Sequence, residues 1–138
     1  MIHFTADSIE MPQLDEHMLQ RWIRSVAADY GFGVGEITYI FCSGDKELVV
    51  NREFLGHDYY TDVITFDYSS QDAISGDIFI SLDTVKSNAE QIGVSYPDEL
   101  LRIISHGVLH LTGQADKTPE TRAEMTRKEN LALEKIGK

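Results

Sequence analysis

Residues 106 to 116 read His-Gly-Val-Leu-His-Leu-Thr-Gly-Gln-Ala-Asp, so three side chains able to ligate a metal, His106, His110 and Asp116, fall within eleven positions. Histidines four apart on a helix leave from one face about 6 Å apart along the axis, close enough for both imidazoles to reach one cation. Gly113 supplies a stop, because glycine adopts the left-handed conformation that closes a helix C-terminus. The chain can then turn back and carry Asp116 toward the same point. Three protein ligands leave one vertex of a tetrahedron open, which is the arrangement of a catalytic zinc site and not of a closed structural one. A histidine pair at this spacing is common without a metal. The glycine stop and the carboxylate beyond it make the reading specific, because all three features serve one geometry.

The gap pattern is also that of the metzincin proteases, whose signature places a glutamate directly after the first histidine as general base. Here that position is Gly107. Losing a positioned base forfeits a factor of about 10² to 10⁴. Peptide hydrolysis is therefore disfavoured, while the same coordination can still serve another hydrolysis.

The elements that must position these residues are legible from periodicity. Ile2 to Ala6 is expected as a first strand, and Leu14, Met18, Leu19, Trp22, Ile23 and Val26 recur at helical spacing in a segment that stops at Gly31. Glu36 to Cys42 is rich in β-branched and aromatic residues, and Ser43 can cap a helix from about Asp45 to Leu55. Thr61 to Phe66 and Gly76 to Ser81 are expected as neighbouring strands across a polar connection. Helices follow from Asp83 to Ile92, from Asp98 to Thr112 with Pro97 at its first turn, and from Pro119 to Ile136. The order predicts an α+β fold, with about four strands in one sheet packed against helices. The histidine helix carries Leu100, Ile103, Ile104, Val108, Leu109 and Leu111 on most of its sides, so it is expected at the centre. Imidazoles buried there need partners, and a metal is one.

The 138 residues, 42% of them apolar, suit one domain with a core large enough to fold alone. Cys42 is the sole cysteine, the start of the chain lacks the basic and apolar regions of a signal peptide, and no apolar run approaches the roughly 18 residues that span a bilayer. A cytoplasmic protein with no membrane partner is expected. Twelve basic residues against 23 acidic ones give a net charge of −11, which repels a polyanion at long range. An RNA substrate would need a local basic patch.

With these residues in view, the chain resembles the YbeY family of zinc-dependent endoribonucleases and ribosomal RNA maturation factors. Their signature runs His-Gly-x-Leu-His-Leu-x-Gly-Tyr-Asp-His, and His106, Gly107, Leu109, His110, Leu111 and Gly113 match it as they stand. The resemblance extends to Asn51, Phe54, Gly56 and Asp58, and to Gly76-Asp77-Ile78. The run Thr61-Asp62-Val63-Ile64-Thr65-Phe66 is similar to the family's Thr-Asp-Val-Leu-Ser-Phe. It covers roughly residues 35 to 136, so residues 1–138 are expected to form one YbeY-like ribonuclease domain.

Two departures bear on chemistry. Asp116 stands where the family has its third histidine, with Gln114 and Ala115 before it. A carboxylate lowers the net charge of a zinc site from +2 to +1, so bound water should be less acidified than on a three-histidine zinc, where its pKa is about 7. An oxygen ligand also widens metal choice toward manganese or iron. Leu55 replaces an arginine that the family pattern directs at substrate phosphate, and leucine offers an anion nothing. Arg52, one helical turn earlier, and Lys117 and Arg122, nearer the metal in sequence, are the alternative phosphate contacts. Each is also readable as an ordinary surface cation.

Asp77 is a candidate to orient a ligand histidine or act as base on metal-bound water, or else simply to bond backbone at a strand edge. Asp62 and Thr65 are expected to fix a turn and line the cleft, His3, His17 and His57 to serve surface or turn roles, and Met125 to pack in the core.

The resemblance implies a metal-dependent enzyme that hydrolyses single-stranded RNA, acting in 16S ribosomal RNA maturation and ribosome quality control with the ribosome or ribosomal proteins as partners. His106, Asp77 and Arg52 are its candidate catalytic residues. Leu55 and the acidic surface favour a competing reading, a ribosome-assembly or RNA-binding factor with little nuclease activity. A metzincin-like peptidase is the third.

Overall fold

The structure, a computed structural model, describes residues 1–50 and 63–138. Its elements are β1 (Ile2–Ala6), α1 (Glu16–Asp29), β2 (Gly33–Cys42), α2 (Gly44–Val50), β3 (Val63–Asp67), β4 (Ala73–Ser81), α3 (Leu82–Ile92), α4 (Tyr96–Leu111) and α5 (Pro119–Glu134). The elements appear in the expected order. The far end of the helix expected over Asp45 to Leu55, and Thr61 and Asp62 of the third strand, lie outside the described residues. Strands β2 and β4 each start three residues earlier than expected, at Gly33 and Ala73, and these two residues pair with each other. Strand propensity misses that extension because Gly33, Gly35 and Ser75 are poor strand formers, and Gly35 and Ser75 fall at an irregularity in the β2–β4 register between Val34 and Ile37.

Among the described residues, four strands form one mixed sheet in the order β1-β2-β4-β3. Pairs β1–β2 and β2–β4 are parallel, whereas β3 and β4 are antiparallel neighbours with Thr65 opposite Ile78. Side chains alternate between faces, so Ile74, Gly76, Ile78 and Ile80 of β4 share one face and Ser75, Asp77 and Phe79 the other. The first set is fully buried and joins Ile37, Tyr39 and Phe41 of β2 in a core completed by Leu19, Trp22, Ile23 and Val26 of α1 and by the apolar residues of α4.

Helix α4 sits at the centre, touching α1, α3, α5, β3 and β4. Two buried hydrogen bonds fix its surroundings. The Tyr39 hydroxyl donates to the Ile104 carbonyl at 2.9 Å, and the Trp22 indole N–H donates to the Ala132 carbonyl at 2.7 Å, tying α1 to α5. Gly107 is a point of close approach to the sheet, since a Cβ there would lie 2.9 Å from Cδ1 and 3.0 Å from Cγ2 of Ile78.

Candidate metal centre

Helix α4 begins with Ser95 as N-cap, its hydroxyl accepting from the Asp98 N–H, and Pro97 in the first turn. It ends in a Schellman motif. The Gln114 N–H donates to the Leu109 carbonyl and the Gly113 N–H to the His110 carbonyl, with Gly113 at φ +98°. This reversal returns the chain over the last turns of α4, where Asp116 Oδ2 lies 3.2 Å from His110 Nε2 and 3.4 Å from His106 Nε2. The two rings meet edge to face with centroids 4.5 Å apart.

These separations fit a metal. Zinc bonds of about 2.0–2.1 Å give a tetrahedron an edge of roughly 3.3–3.4 Å, whereas a charge-assisted N–H to carboxylate bond would close to about 2.7–2.9 Å. All three donor atoms lie within 4.8 Å of one another, and the group is partly exposed, which leaves access from solvent. Burial, followed by the neighbouring His106, pushes the His110 pKa below its ordinary value despite Asp116 and a bond with the Gln114 backbone. A neutral imidazole offers the lone pair that a cation takes.

A fourth residue completes the cluster. Glu129 on α5, 7% exposed, has Oε2 2.6 Å from His106 Nδ1, and its Oε1 accepts from Arg102 Nη1 at 3.0 Å. The other arm of the Arg102 guanidinium donates to Asn130 Oδ1 at 2.8 Å. Sequence reasoning missed this residue. Its signal was a carboxylate in the core-facing row Met125, Glu129, Ala132 and Leu133.

The other candidates are placed as follows. Lys117 is exposed directly after Asp116, and Arg122, also exposed, donates through Nη1 to the Lys117 carbonyl at 3.3 Å, bracing the loop that carries Asp116. The same loop enters α5 through a reciprocal capping box between Thr118 and Thr121. Asp77 is not brought into the ligand group: it lies on the face of β4 opposite Gly76 and Ile78, where the Tyr68 hydroxyl donates to it at 3.4 Å. Arg52, Leu55, His57 and Asp62 lie outside the described residues. Met125 is buried in the core, His3 pairs with exposed Glu36, and His17 is exposed. A groove of about 630 Å³ flanks the N-terminal half of α4, between Met11, Leu14, Met18, Tyr96, Leu100 and Leu101, and none of the ligand group lines it. Ile78 also explains Gly107: the space where a metzincin glutamate would start is filled by a buried side chain.

Comparison with known proteins places nearly the whole chain in one family. The sequence profile described as Endoribonuclease YbeY matches residues 2–137. Endoribonuclease YbeY of Phocaeicola vulgatus is 56% identical over 137 residues, covering 99% of both chains. That of Bacteroides thetaiotaomicron is 53% identical over 132 residues, covering 96% of both. Among solved structures, the solution structure of TM1509 from Thermotoga maritima superposes with a TM-score of 0.69 at 25% identity, covering 99% of this chain and 89% of that one.

Proposed function

This chain belongs to the endoribonuclease YbeY family, a hydrolase acting on RNA, and from that premise we propose that residues 1–138 work as one metal-dependent domain that cuts single-stranded ribosomal RNA during its maturation. The observation that carries the metal dependence is the convergence of His106 Nε2, His110 Nε2 and Asp116 Oδ2 at 3.2 and 3.4 Å.

In this reading His106, His110 and Asp116 hold one divalent ion, with zinc as the first choice. Bound there, the ion supplies Lewis acidity to a phosphoryl oxygen or lowers the pKa of a water molecule. The protein's own contribution is placement. Helix α4 fixes both imidazoles, the Schellman turn delivers the carboxylate, and the group stays partly exposed. Lys117 and Arg122, exposed beside the Asp116 loop, provide the local positive charge that a phosphate backbone needs against a net charge of −11. Arg52 is proposed as a further phosphate contact. Asp77, on the other face of β4 and bonded by Tyr68, takes no part in this reading. Among the described residues no helix is long and apolar enough to cross a membrane, and the proposed setting is the cytoplasm, with the ribosome as partner and ribosome quality control as the wider process.

The test is cleavage of single-stranded ribosomal RNA fragments by metal-loaded protein beside a His106→Ala control, with elemental analysis of protein purified without chelator. Stoichiometric metal and cleavage, both lost in the control, are expected. Cleavage absent under every metal condition would overturn the nuclease reading in favour of an RNA-binding assembly factor.

A further inference from the structure

We propose that Glu129 is a positioning residue of the metal centre: braced by Arg102, its carboxylate holds the His106 ring with Nδ1 protonated, so that Nε2 presents its lone pair beside His110 and Asp116. The inference rests on the metal-binding reading and names what prepares the site.

Glu129 occupies a core-facing position of α5 with 7% exposure, where an ionised side chain is costly unless paired. Both of its oxygens are engaged. Oε1 accepts from the Arg102 guanidinium at 3.0 Å, and Oε2 lies 2.6 Å from His106 Nδ1. A carboxylate paired with arginine only accepts hydrogen bonds, so Nδ1 must be the donor, and in a neutral ring the hydrogen is then missing from Nε2. That nitrogen is the one 3.4 Å from Asp116 Oδ2. Arg102 lies one turn before His106 on α4, and its second arm is taken by Asn130, so the relay Asn130, Arg102, Glu129, His106 crosses between α4 and α5 three times. Ligand histidines oriented by an outer carboxylate are a general device for fixing ring tautomer and raising ligand basicity. The named partners of His110 are Asp116 itself and the Gln114 backbone.

A buried ion pair that merely joins two helices would share this geometry, so the test must read the ring itself. Long-range proton–nitrogen spectra of wild-type protein in chelator, above the titration range of imidazole, are expected to show His106 as the Nδ1–H tautomer. Glu129→Gln keeps the shape and presents either an acceptor or a donor to the ring. It should mix the tautomers and weaken zinc binding, measured by competition with a chromophoric chelator, by about 10- to 100-fold. Wild-type protein with Nε2–H at His106 would overturn the proposal without any variant. Equal zinc affinity in wild type and Glu129→Gln would overturn it too, even if the variant melts earlier, because that pattern belongs to a purely structural pair. Wild-type protein that takes up no zinc would sink the metal reading itself, an outcome distinct from uptake indifferent to Glu129.

Discussion

Replacing Gly107 with alanine tests whether the close approach of α4 to β4 sets the position of the ligand histidines. The added Cβ would lie 2.9, 3.0 and 3.5 Å from Cδ1, Cγ2 and Cγ1 of Ile78. Carbon contacts are comfortable at about 3.5–4.0 Å, so at least about half an ångström must be found. Ile78 is 0% exposed and has no solvent side to retreat into. Two effects oppose each other. Alanine is better than glycine inside a helix by about 0.8–1 kcal/mol, while overpacking a core costs about 1–3 kcal/mol. The single variant should therefore lose about 0–2 kcal/mol. A change that small near zero decides little by itself, so the informative quantity is the coupling with Ile78→Val. That substitution alone costs about 0.5–1.5 kcal/mol and removes Cδ1, the nearest clashing atom. The double variant should be more stable than the sum of the two single effects by about 1 kcal/mol. Urea unfolding followed by the fluorescence of Trp22, the sole tryptophan, measures the cycle. Zinc affinity is the second readout: α4 displaced from the sheet carries His106 and His110 with it, so affinity should fall in Gly107→Ala and recover in the double variant. A Gly107→Ala protein about 1 kcal/mol more stable than the parent, with no coupling to Ile78, would refute the reasoning.

Acid should destabilise chelator-treated protein through His110. Burial and His106 hold its folded pKa below the ordinary 6.5, so the unfolded chain takes the proton first. This contribution is complete above about pH 6.5 and is lost as pH falls from there through the depressed folded pKa, with a slope of at most about 1.36 kcal/mol per pH unit. Urea midpoints across that window should fall in wild type and flatten in His110→Gln; parallel profiles would refute it. Trp22→Phe should cost about 1–3 kcal/mol, because a buried hydrogen bond and packed volume go together, although the Ala132 carbonyl still accepts from Lys135. Faster amide exchange in α5 would report the loosened contact. Asp116→Asn should weaken zinc by more than the roughly 100-fold typical of losing an outer partner, whereas Asp77→Asn should leave affinity unchanged from its place across β4. Calorimetric titration of both variants checks the pair, and an equal loss in each would contradict the placement of Asp77.

The grouping of His106, His110 and Asp116 was readable in the chain because everything that joins them is local. Helical periodicity puts His106 and His110 on one face, and a glycine able to take φ +98° lets the chain return within three residues to Asp116. Element order was equally legible, since the apolar spacing of α1 and α4 and the β-branched runs declare their partners' faces without naming the partners. Strand order was not. Nothing local says that β4 inserts between β2 and β3, because that choice is made by long-range pairing and by burial of one face against the helices. The same limit hid Glu129, 23 positions from His106 and joined to it only when α5 packs along α4. It also governs Asp77, whose neighbours in sequence face α4 while it faces away, a consequence of strand alternation combined with which side of the sheet the helices cover. Spacing along one helical turn thus determined which atoms can share a cation; packing between helices, invisible to any local pattern, decided which side chain holds the first imidazole in place.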